Sequence, residues 1–315
     1  MSAGGGTKAI IAALGANLGI AVTKFVAFGL TGSSSMLAEG IHSVADSGNQ
    51  ALLLVGGKRA ARKATPEHPF GYGRERYIYA FIVSIVLFSV GGLFAVYEGY
   101  HKVTESIEGH PNDLLESKWW WVPLVVLVIA IGLESYSFKT AITEANRERG
   151  KTTWSNYIRN AKAPELPVVL LEDLAALVGL ILALFGVGLT LLTKNGIFDG
   201  VFTVLIGVLL VIVAIILAME TKSLLLGESA TKEHVAAIEK ALVGEEVDHI
   251  IHMKTLHLGP EELLVAAKIA VRHDETAAEI ARGIDKAEAR IREAVPIARV
   301  IYLEPDIDRA QSGTK

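Results

Sequence analysis

The sequence contains no cysteine, and this absence limits the kinds of site that it can build. Disulfide bonds and thiolate metal sites are excluded. The HExxH motif, which marks many zinc hydrolases, is also absent. Positive charge is not in excess either, since the formal net charge is -4, so the composition gives no reason to expect a nucleic-acid partner.

Apolar residues, in contrast, are abundant and clustered. Of the 315 residues, 51% are hydrophobic and 20% are charged, which is more apolar than an ordinary soluble domain. Six long apolar stretches occur, and most reach the roughly 20 residues that a helix needs to cross a bilayer. They are residues 9–30, 36–57, 77–97, 119–133, 166–193 and 200–219. The sequence therefore predicts an α-helical membrane protein with six transmembrane helices in residues 1–220.

The first and fourth stretches have distinctive ends. Residues 9–30 exceed the roughly 7 to 15 apolar residues of a signal-peptide core, so we expect a retained helix rather than a cleaved leader. The fourth stretch opens with Trp119, Trp120 and Trp121, which is typical of an interfacial anchor. Because this stretch is the shortest, its helix is expected to continue through Glu134 toward Phe138.

The short loops differ in charge, and this difference predicts orientation. Residues 58–76 and residues 139–162 each carry six lysines and arginines, whereas residues 98–118 carry two lysines and five acidic residues. Cytoplasmic loops are enriched in lysine and arginine. Both basic loops and both termini are therefore expected in the cytoplasm or its equivalent, with a bacterial inner membrane as the default location.

After the last apolar stretch the sequence takes on the character of a small soluble domain. Residues 221–308 are predicted to form a C-terminal cytosolic α+β domain of order αββαβ, and residues 309–315 a disordered tail. The expected elements are a helix at 231–242, strands at 247–258 and 262–272, a helix at 275–293 and a strand at 298–303. Roughly 85 residues make a modest core, which favours pairing with a second copy.

Two patterns support this αββαβ prediction. In the second strand alternate residues are apolar, as in a sheet buried on one face. In the second helix apolar residues recur at three- and four-residue steps. The two sets are Leu263, Val265, Ala267, Ile269 and Val271, and Ile280, Ile284, Ala287 and Ile291. Gly259-Pro260 between the strands indicates the turn of a hairpin.

The second apolar stretch contains an unexpected polar segment, EGIHSVADSGN at 39–49. Glu39, His42, Asp46 and Asn49 follow steps of three, four and three, so on a helix they share one face. A charged side chain at bilayer depth costs at least about 2.5 to 3.5 kcal/mol, and such residues usually face the bundle interior and mark a pathway. The alternative is that His42 and Asp46 simply satisfy each other.

The fifth stretch carries a matching anomaly, the adjacent acids Glu172 and Asp173. Neighbours on a helix point about 100° apart, so separate roles are expected. Together His42, Asp46 and Asp173 offer one nitrogen and two oxygen donors, with a fourth position for water, Glu172 or Asn17. Zn²⁺ accepts such a tetrahedral set, and a carboxylate-rich site also suits Mn²⁺ or Fe²⁺.

Several longer segments resemble the cation diffusion facilitator family over nearly the whole chain. They are ANLGIAVTKFVAFGLTGSSSMLAEGIHSVADSGNQALLL at 16–54, HPFGYGRERYIYAF at 68–81 and LEPD at 303–306. The segment VVLLEDLAALVGL at 168–180 is similar to the subgroup that includes mitochondrial zinc transporters. The resemblance implies a homodimer in a lipid bilayer, with a transport site between the second and fifth helices of each protomer.

The resemblance also implies a set of metal ligands. His42 and Asp46 match the HxxxD pair that the family's second helix commonly carries. On the fifth helix Asp173 matches the second acid, but Val169 stands where the earlier His or Asp is expected. The predicted ligands are therefore His42, Asp46 and Asp173, with Glu172 as a weaker fourth. Asn17, Glu39 and Asn49 are candidate accessory residues.

The family's tail often holds further zinc ions, and its loop before the third helix does so in some relatives. Here the tail offers His249, His252, His257 and His273. Tyr302 stands where a ligand His is common, and the strand parity of these histidines forms no clamp, so surface histidines are expected. In the loop, only Glu67 could partner His68, and Gly71 and Gly73 are expected to shape a tight turn instead.

The resulting hypothesis is a secondary active transporter, not an enzyme. It would export a divalent cation, zinc first and Mn²⁺, Fe²⁺, Co²⁺ or Cd²⁺ as alternatives, in exchange for protons by alternating access. A transport-inactive or metal-sensing dimer partner is a second hypothesis, which Val169 keeps open. A membrane-embedded metallohydrolase is a third.

Overall fold

The computed structural model describes residues 3–110, 112–272 and 274–306. Within these residues the chain forms two compact units. One comprises the chain up to Lys58 together with Tyr77–Lys222, and the other comprises Arg59–Arg76 and the chain from Ser223 onward. The predicted division at 220–221 stays a prediction, and the predicted disordered tail at 309–315 lies outside the described residues.

The first unit is helical throughout its regular structure. Its elements are α1 (Ala3–Thr31), α2 (Ser34–Ala60), α3 (Glu75–Val86), a π-helical segment (Leu87–Leu93), α4 (Phe94–Ile107), α5 (Asp113–Glu116), α6 (Val122–Arg149), α7 (Trp154–Asn160), α8 (Glu165–Thr193) and α9 (Ile197–Leu226). The π segment joins α3 and α4 into one continuous helix. α6 packs against both α8 and α1.

Four of the described helices are long and apolar enough to cross a membrane, by length and composition. They are Glu75–Ile107, Val122–Arg149, Glu165–Thr193 and Ile197–Leu226. The prediction of a helical membrane domain is thereby confirmed. The other two predicted spans belong to α1, whose apolar part Asn17–Thr31 is shorter, and to α2, which carries the polar face.

The fourth predicted span extends further than its apolar pattern. The three tryptophans lie exposed in the turn before α6, with Trp121 at the N-cap. The helix then continues past Phe138 to Arg149. Its second half is polar, and a helix ends where its backbone bonding ends, not where apolar residues stop.

α2 begins at Ser34 because a carboxylate from α9 caps it. The Ser34 backbone N–H donates to Asp199 Oδ2 at 2.9 Å, and its hydroxyl donates to the same oxygen at 3.0 Å. A carboxylate at a helix N-terminus satisfies a backbone donor that the helix itself leaves unpaired. This contact ties the start of the polar helix to α9.

α4 and α9 approach each other closely through glycines. A Cβ atom placed on Gly99 would lie 2.6 Å from the backbone nitrogen of Val204, and one on Gly207 would lie 2.6 Å from that of Val96. Small residues allow such backbone contact between helices in a membrane. Gly188 on α8 differs, since a Cβ there would meet nothing within 4 Å.

The second unit contains the predicted αββαβ order. Its elements are α10 (Lys232–Leu242), β1 (Ile250–Gly259), β2 (Glu262–Ala270), α11 (Ala277–Ala294) and β3 (Ala298–Asp306). β1 and β2 form the predicted antiparallel hairpin at Gly259-Pro260, and β3 joins β2 in parallel through the α11 crossover. The predicted small α+β domain is thus present, and the sheet order is β1-β2-β3.

Several predicted bounds in this unit were wrong by a few residues. β1 begins at Ile250 rather than at residue 247, because Val247 forms a turn in which its carbonyl accepts from the Gly244 N–H at 3.2 Å. α11 begins after Thr276, whose side chain and Glu279 form a capping box. β2 ends at residue 270 and β3 continues to residue 306, where their parallel pairing ends.

The tail core follows the predicted patterns. Alternate residues of β2, from Leu263 to Ile269, are at most 4% exposed. On α11 the predicted stripe covers them, with Ala287 and Ile291 fully buried. The period-two and helical apolar patterns were therefore interpreted correctly.

The basic loop Arg59–Arg76 packs onto this tail. A Cβ on Gly73 would lie 2.8 Å from the carbonyl oxygen of Leu258, at the hairpin end of β1, so only glycine allows this approach. Gly71 has a φ of +76°, a left-handed conformation that glycine adopts at little cost. The loop's predicted tight course is thus confirmed. His68 packs its ring 4.7 Å from that of Tyr72.

Candidate metal centre

The polar face of α2 is buried within the membrane unit. Glu39 and Asn49 are 0% exposed, His42 is 1% exposed and Asp46 is 9% exposed. An ordinary lipid-facing helix would instead turn apolar residues outward and bury small ones. The burial of four polar side chains indicates an interior pathway rather than a surface.

His42 and Asp46 lie close together without satisfying each other. His42 Nδ1 is 3.4 Å from Asp46 Oδ1, yet neither ring nitrogen of His42 nor that carboxylate oxygen has a hydrogen-bond partner among the described residues. Buried polar atoms are normally bonded, so unbonded ones call for an explanation. If the two residues formed a self-contained pair, as the alternative holds, both ring nitrogens and this carboxylate oxygen would remain without hydrogen bonds. Gly91 of the π segment leaves room beside His42, since a Cβ there would lie 4.0 Å from Nδ1.

The adjacent acids of α8 point to different helices, as their helical angle predicts. Asn49 Nδ2 donates to Glu172 Oε1 at 2.6 Å, which turns Glu172 toward α2. Ser137 Oγ donates to Asp173 Oδ2 at 3.1 Å, which turns Asp173 toward α6. Glu172 and Asp173 are 4% and 7% exposed, so both carboxylates are held inside the bundle by neutral donors.

Glu39 has a partner that sequence reasoning missed. Lys24 Nζ of α1 lies 2.8 Å from Glu39 Oε2 and also donates to Ser43 Oγ at 2.8 Å. A lysine within the apolar stretch 9–30 was a signal that could have revealed this pair, because ionisable residues in spans usually find partners. Asn17, the other accessory candidate on α1, is partly buried.

Val169 lies in an apolar cluster and not among polar groups. It packs against a cluster built on Ala141, Tyr157 and Leu170, which joins α6, α7 and α8. The Tyr157 hydroxyl donates to Glu148 Oε2 at 2.8 Å. Burial, together with this bond, raises the pKa of Tyr157 and keeps it neutral. Val169 therefore takes part in apolar packing at the position where the family's earlier His or Asp ligand is expected.

The tail histidines are dispersed. His249 Nδ1 lies 2.7 Å from Asp248 Oδ2, and His257 Nδ1 lies 3.2 Å from the Gly259 carbonyl oxygen. His252 is exposed, whereas His257 is only 1% exposed, so the surface interpretation was wrong for His257. His273 lies outside the described residues.

The predicted ligands do not yet form one coordination set. Throughout residues 3–110, 112–272 and 274–306, no group of three or more His, Asp or Glu side chains is arranged to hold a metal ion. His42 and Asp46 are adjacent, while Glu172 and Asp173 are each engaged by a separate donor. Each donor occupies one oxygen of its carboxylate, so an ion can join the acids through their other oxygens or by exchange with the donors.

Comparison with known proteins identifies the family. Residues 10–226 match the model of the cation efflux transmembrane domain. The chain belongs to the cation diffusion facilitator family. It is 31% identical over 249 residues to the mitochondrial proton-coupled zinc antiporter SLC30A9 of Mus musculus, covering 78% of this chain and 42% of that relative. It is 28% identical over 265 residues to metal tolerance protein C4 of Arabidopsis thaliana, covering 83% and 56%.

This cation diffusion facilitator lies near the subgroup that contains the mitochondrial zinc transporter. The chain spans about 42% of the length of SLC30A9 and 56% of the plant relative. Members of the family are transporters and not enzymes, which argues against the metallohydrolase hypothesis. The predicted membrane character and family are confirmed, since the match covers the predicted spans.

Proposed function

We propose that this protein exports a divalent metal cation, zinc first, in exchange for protons by alternating access. One observation carries the proposal: His42 and Asp46 are buried in a cation efflux domain, with donor atoms that have no hydrogen-bond partner among the described residues. Such unbonded nitrogen and oxygen atoms can bind a metal ion and release it again. The name of the SLC30A9 relative, a proton-coupled zinc antiporter, supports zinc and proton exchange.

The proposed ligands are His42, Asp46 and Asp173, with Glu172 as the candidate fourth. Zn²⁺ accepts one imidazole nitrogen and several carboxylate oxygens in a tetrahedral set. Mn²⁺, Fe²⁺, Co²⁺ and Cd²⁺ are alternatives, because oxygen-rich sets do not select zinc by affinity alone. Binding requires a neutral imidazole and ionised carboxylates, so protons compete with the metal for the same atoms. Proton entry from the outer side would then release the ion.

The proposed topology has six membrane helices, with both termini in the cytoplasm of a bacterial cell. The basic loop Arg59–Arg76 and the tail belong to one compact unit, which supports their location on the same side of the membrane. The positive-inside rule assigns that side to the cytoplasm. A homodimer joined through the cytosolic tail at residues 221–308 completes the proposal.

Transport into proteoliposomes tests this function. Uptake of Zn²⁺, Mn²⁺, Fe²⁺, Co²⁺ and Cd²⁺ is measured with and without a pH gradient. We expect faster metal entry than into empty liposomes, stimulation by an opposing proton gradient, and loss of both in Asp173→Ala. Leu174→Ala is the matched control, because Leu174 is the next residue on α8 and is 43% exposed. No transport of any ion, or equal rates for Asp173→Ala and Leu174→Ala, would contradict the proposal.

A transport-inactive or metal-sensing dimer partner is the second candidate. The packing of Val169 in an apolar cluster favours it, because that position supplies no donor. The two functions differ in what the purified protein does alone. Metal-dependent stabilisation without transport by the homodimer would favour the sensing role, whereas transport by the homodimer would exclude the inactive role.

A further inference from the structure

Lys24 on α1 is a buried cation that contacts the polar face of α2, where the proposed metal would bind. Its side chain is 4% exposed, and its ammonium contacts Glu39 Oε2 and Ser43 Oγ, both at 2.8 Å. It also donates to the Glu39 carbonyl oxygen at 3.4 Å. Glu39 and Ser43 flank His42 on α2, so Lys24 reaches the same turn as the first proposed ligand.

Glu39 lies between α1 and α8. Its Oε1 atom has no hydrogen-bond partner among the described residues, and a Cβ on Gly179 of α8 would come within 2.9 Å of that atom. On the other side, a Cβ on Gly40 would lie 3.3 Å from the Phe25 ring of α1. The Glu39 carboxylate is therefore closely packed against α8, and Lys24 Nζ, 2.8 Å from Oε2, compensates its charge.

The ionisable groups around Asp46 are mostly acidic. They are the carboxyl groups of Glu172, Glu134 and Asp173 and the ammonium of Lys24. Charges interact more strongly inside a protein than in water, since the effective dielectric constant is near 20 rather than 80. Removing the ammonium would leave Glu39 as a further negative charge beside the site.

We infer that Lys24 is a fixed counter-charge that sets how tightly the site holds a divalent cation. It neutralises Glu39 and so keeps that carboxylate from strengthening the attraction for the metal. Affinity then stays low enough for the ion to leave. The inference rests on the proposed transport function and identifies Lys24 as a residue that tunes the site without binding the ion.

A double-mutant cycle tests the role of Lys24 in proteoliposomes at one fixed pH. Lys24→Met removes the positive charge, and we expect KM for Zn²⁺ to fall at least about fivefold, with a lower maximal rate because release slows. Glu39→Gln leaves Lys24 uncompensated, and KM should rise by a similar factor. In the Lys24→Met/Glu39→Gln double variant the two effects should cancel to within about twofold.

Thr23→Val serves as the matched control. Thr23 precedes Lys24 on α1, and among the described residues its hydroxyl donates to the Ile20 carbonyl oxygen of its own helix at 2.7 Å. Its KM should equal that of the wild type. If Lys24→Met does not fold, Lys24→Gln makes the same charge change while its amide can still donate to Glu39, and the same fall in KM is expected.

The outcomes separate this inference from the proposed function. A merely structural ion pair would lower the maximal rate in both single variants and leave KM unmoved, and that result overturns the inference. KM shifts of the same sign in both single variants, or a double variant that does not return toward the wild-type KM, would also overturn it. Absence of transport by the wild-type protein would instead overturn the proposed function.

Discussion

The hydrogen bond between Asn49 and Glu172 engages the acid that is proposed as the fourth metal ligand. Asn49 is 0% exposed and Glu172 is 4% exposed, and their donor and acceptor atoms lie 2.6 Å apart. Loss of the amide leaves the buried Glu172 oxygen without its donor, which costs about 1 to 3 kcal/mol. Asn49→Ala should lower the free energy of unfolding by that amount, a factor of roughly 5 to 150 in the folding equilibrium.

The same variant should respond more strongly to metal. Without its amide partner, Glu172 is free to join His42, Asp46 and Asp173, and a ligand that binds only the folded state stabilises it. Excess Zn²⁺ should therefore raise the unfolding free energy more in Asn49→Ala than in the wild type.

Unfolding in detergent, followed with and without Zn²⁺, measures both quantities. Ser47→Ala is the control, because Ser47 is buried on the same helix and, within the described part of the chain, its hydroxyl donates to the Ser43 carbonyl oxygen of that helix. Equal losses of metal-free stability in the two variants would refute the contribution of the Asn49 bond. An equal zinc effect in Asn49→Ala and the wild type would refute the role of Glu172 as fourth ligand.

Three further predictions concern the fold, the first of them with a control variant. Gly99→Ala should cost about 1 to 3 kcal/mol because its Cβ would meet the α9 backbone, while Gly188→Ala, which meets nothing within 4 Å, should not destabilise; thermal unfolding in detergent compares them. Thr276→Ala removes the α11 capping box and should cost about 1 kcal/mol, seen as faster hydrogen exchange at the start of that helix. The hydrogen bond from Lys286 lowers the pKa of Glu246 in the folded protein. The ionised Glu246 therefore stabilises the fold above its unfolded pKa near 4.5, and this stabilisation is lost as the pH falls through the lower folded pKa. Glu246→Gln should make the free energy of unfolding less dependent on pH in that range.

The tail was the most predictable part of the fold. Leu263, Val265, Ala267 and Ile269 share one strand parity, and Ala287 and Ile291 recur at a helical step, so these two patterns predict the faces that are buried. Its limits were less predictable, because they depend on hydrogen bonds between segments. β3 extends to Asp306 since β2 offers it partners up to Ala270.

The candidate site was predicted only as separate faces. The steps between His42 and Asp46 place both on one side of α2, and the 100° angle correctly separates Glu172 from Asp173. The donors that hold these acids could not be predicted in the same way. Ser137 lies 36 residues from Asp173 in sequence, and nothing in its local pattern marks it as a partner.

The apolar packing of Val169 leaves metal binding by α8 to the two adjacent acids in the proposed transport. The position four residues before Asp173 is packed among apolar side chains and supplies no ligand, so Asp173 and Glu172 are the proposed ligands on α8. Each acid is held by a neutral donor from a different helix, Ser137 on α6 and Asn49 on α2. Each donor occupies one oxygen of its carboxylate, Glu172 Oε1 or Asp173 Oδ2, so an ion that binds the other oxygen keeps both bonds, whereas an ion that takes both oxygens of each acid displaces them. In this scheme, an ion that needs two oxygens from each acid must offset the loss of both bonds, and selectivity depends on that difference.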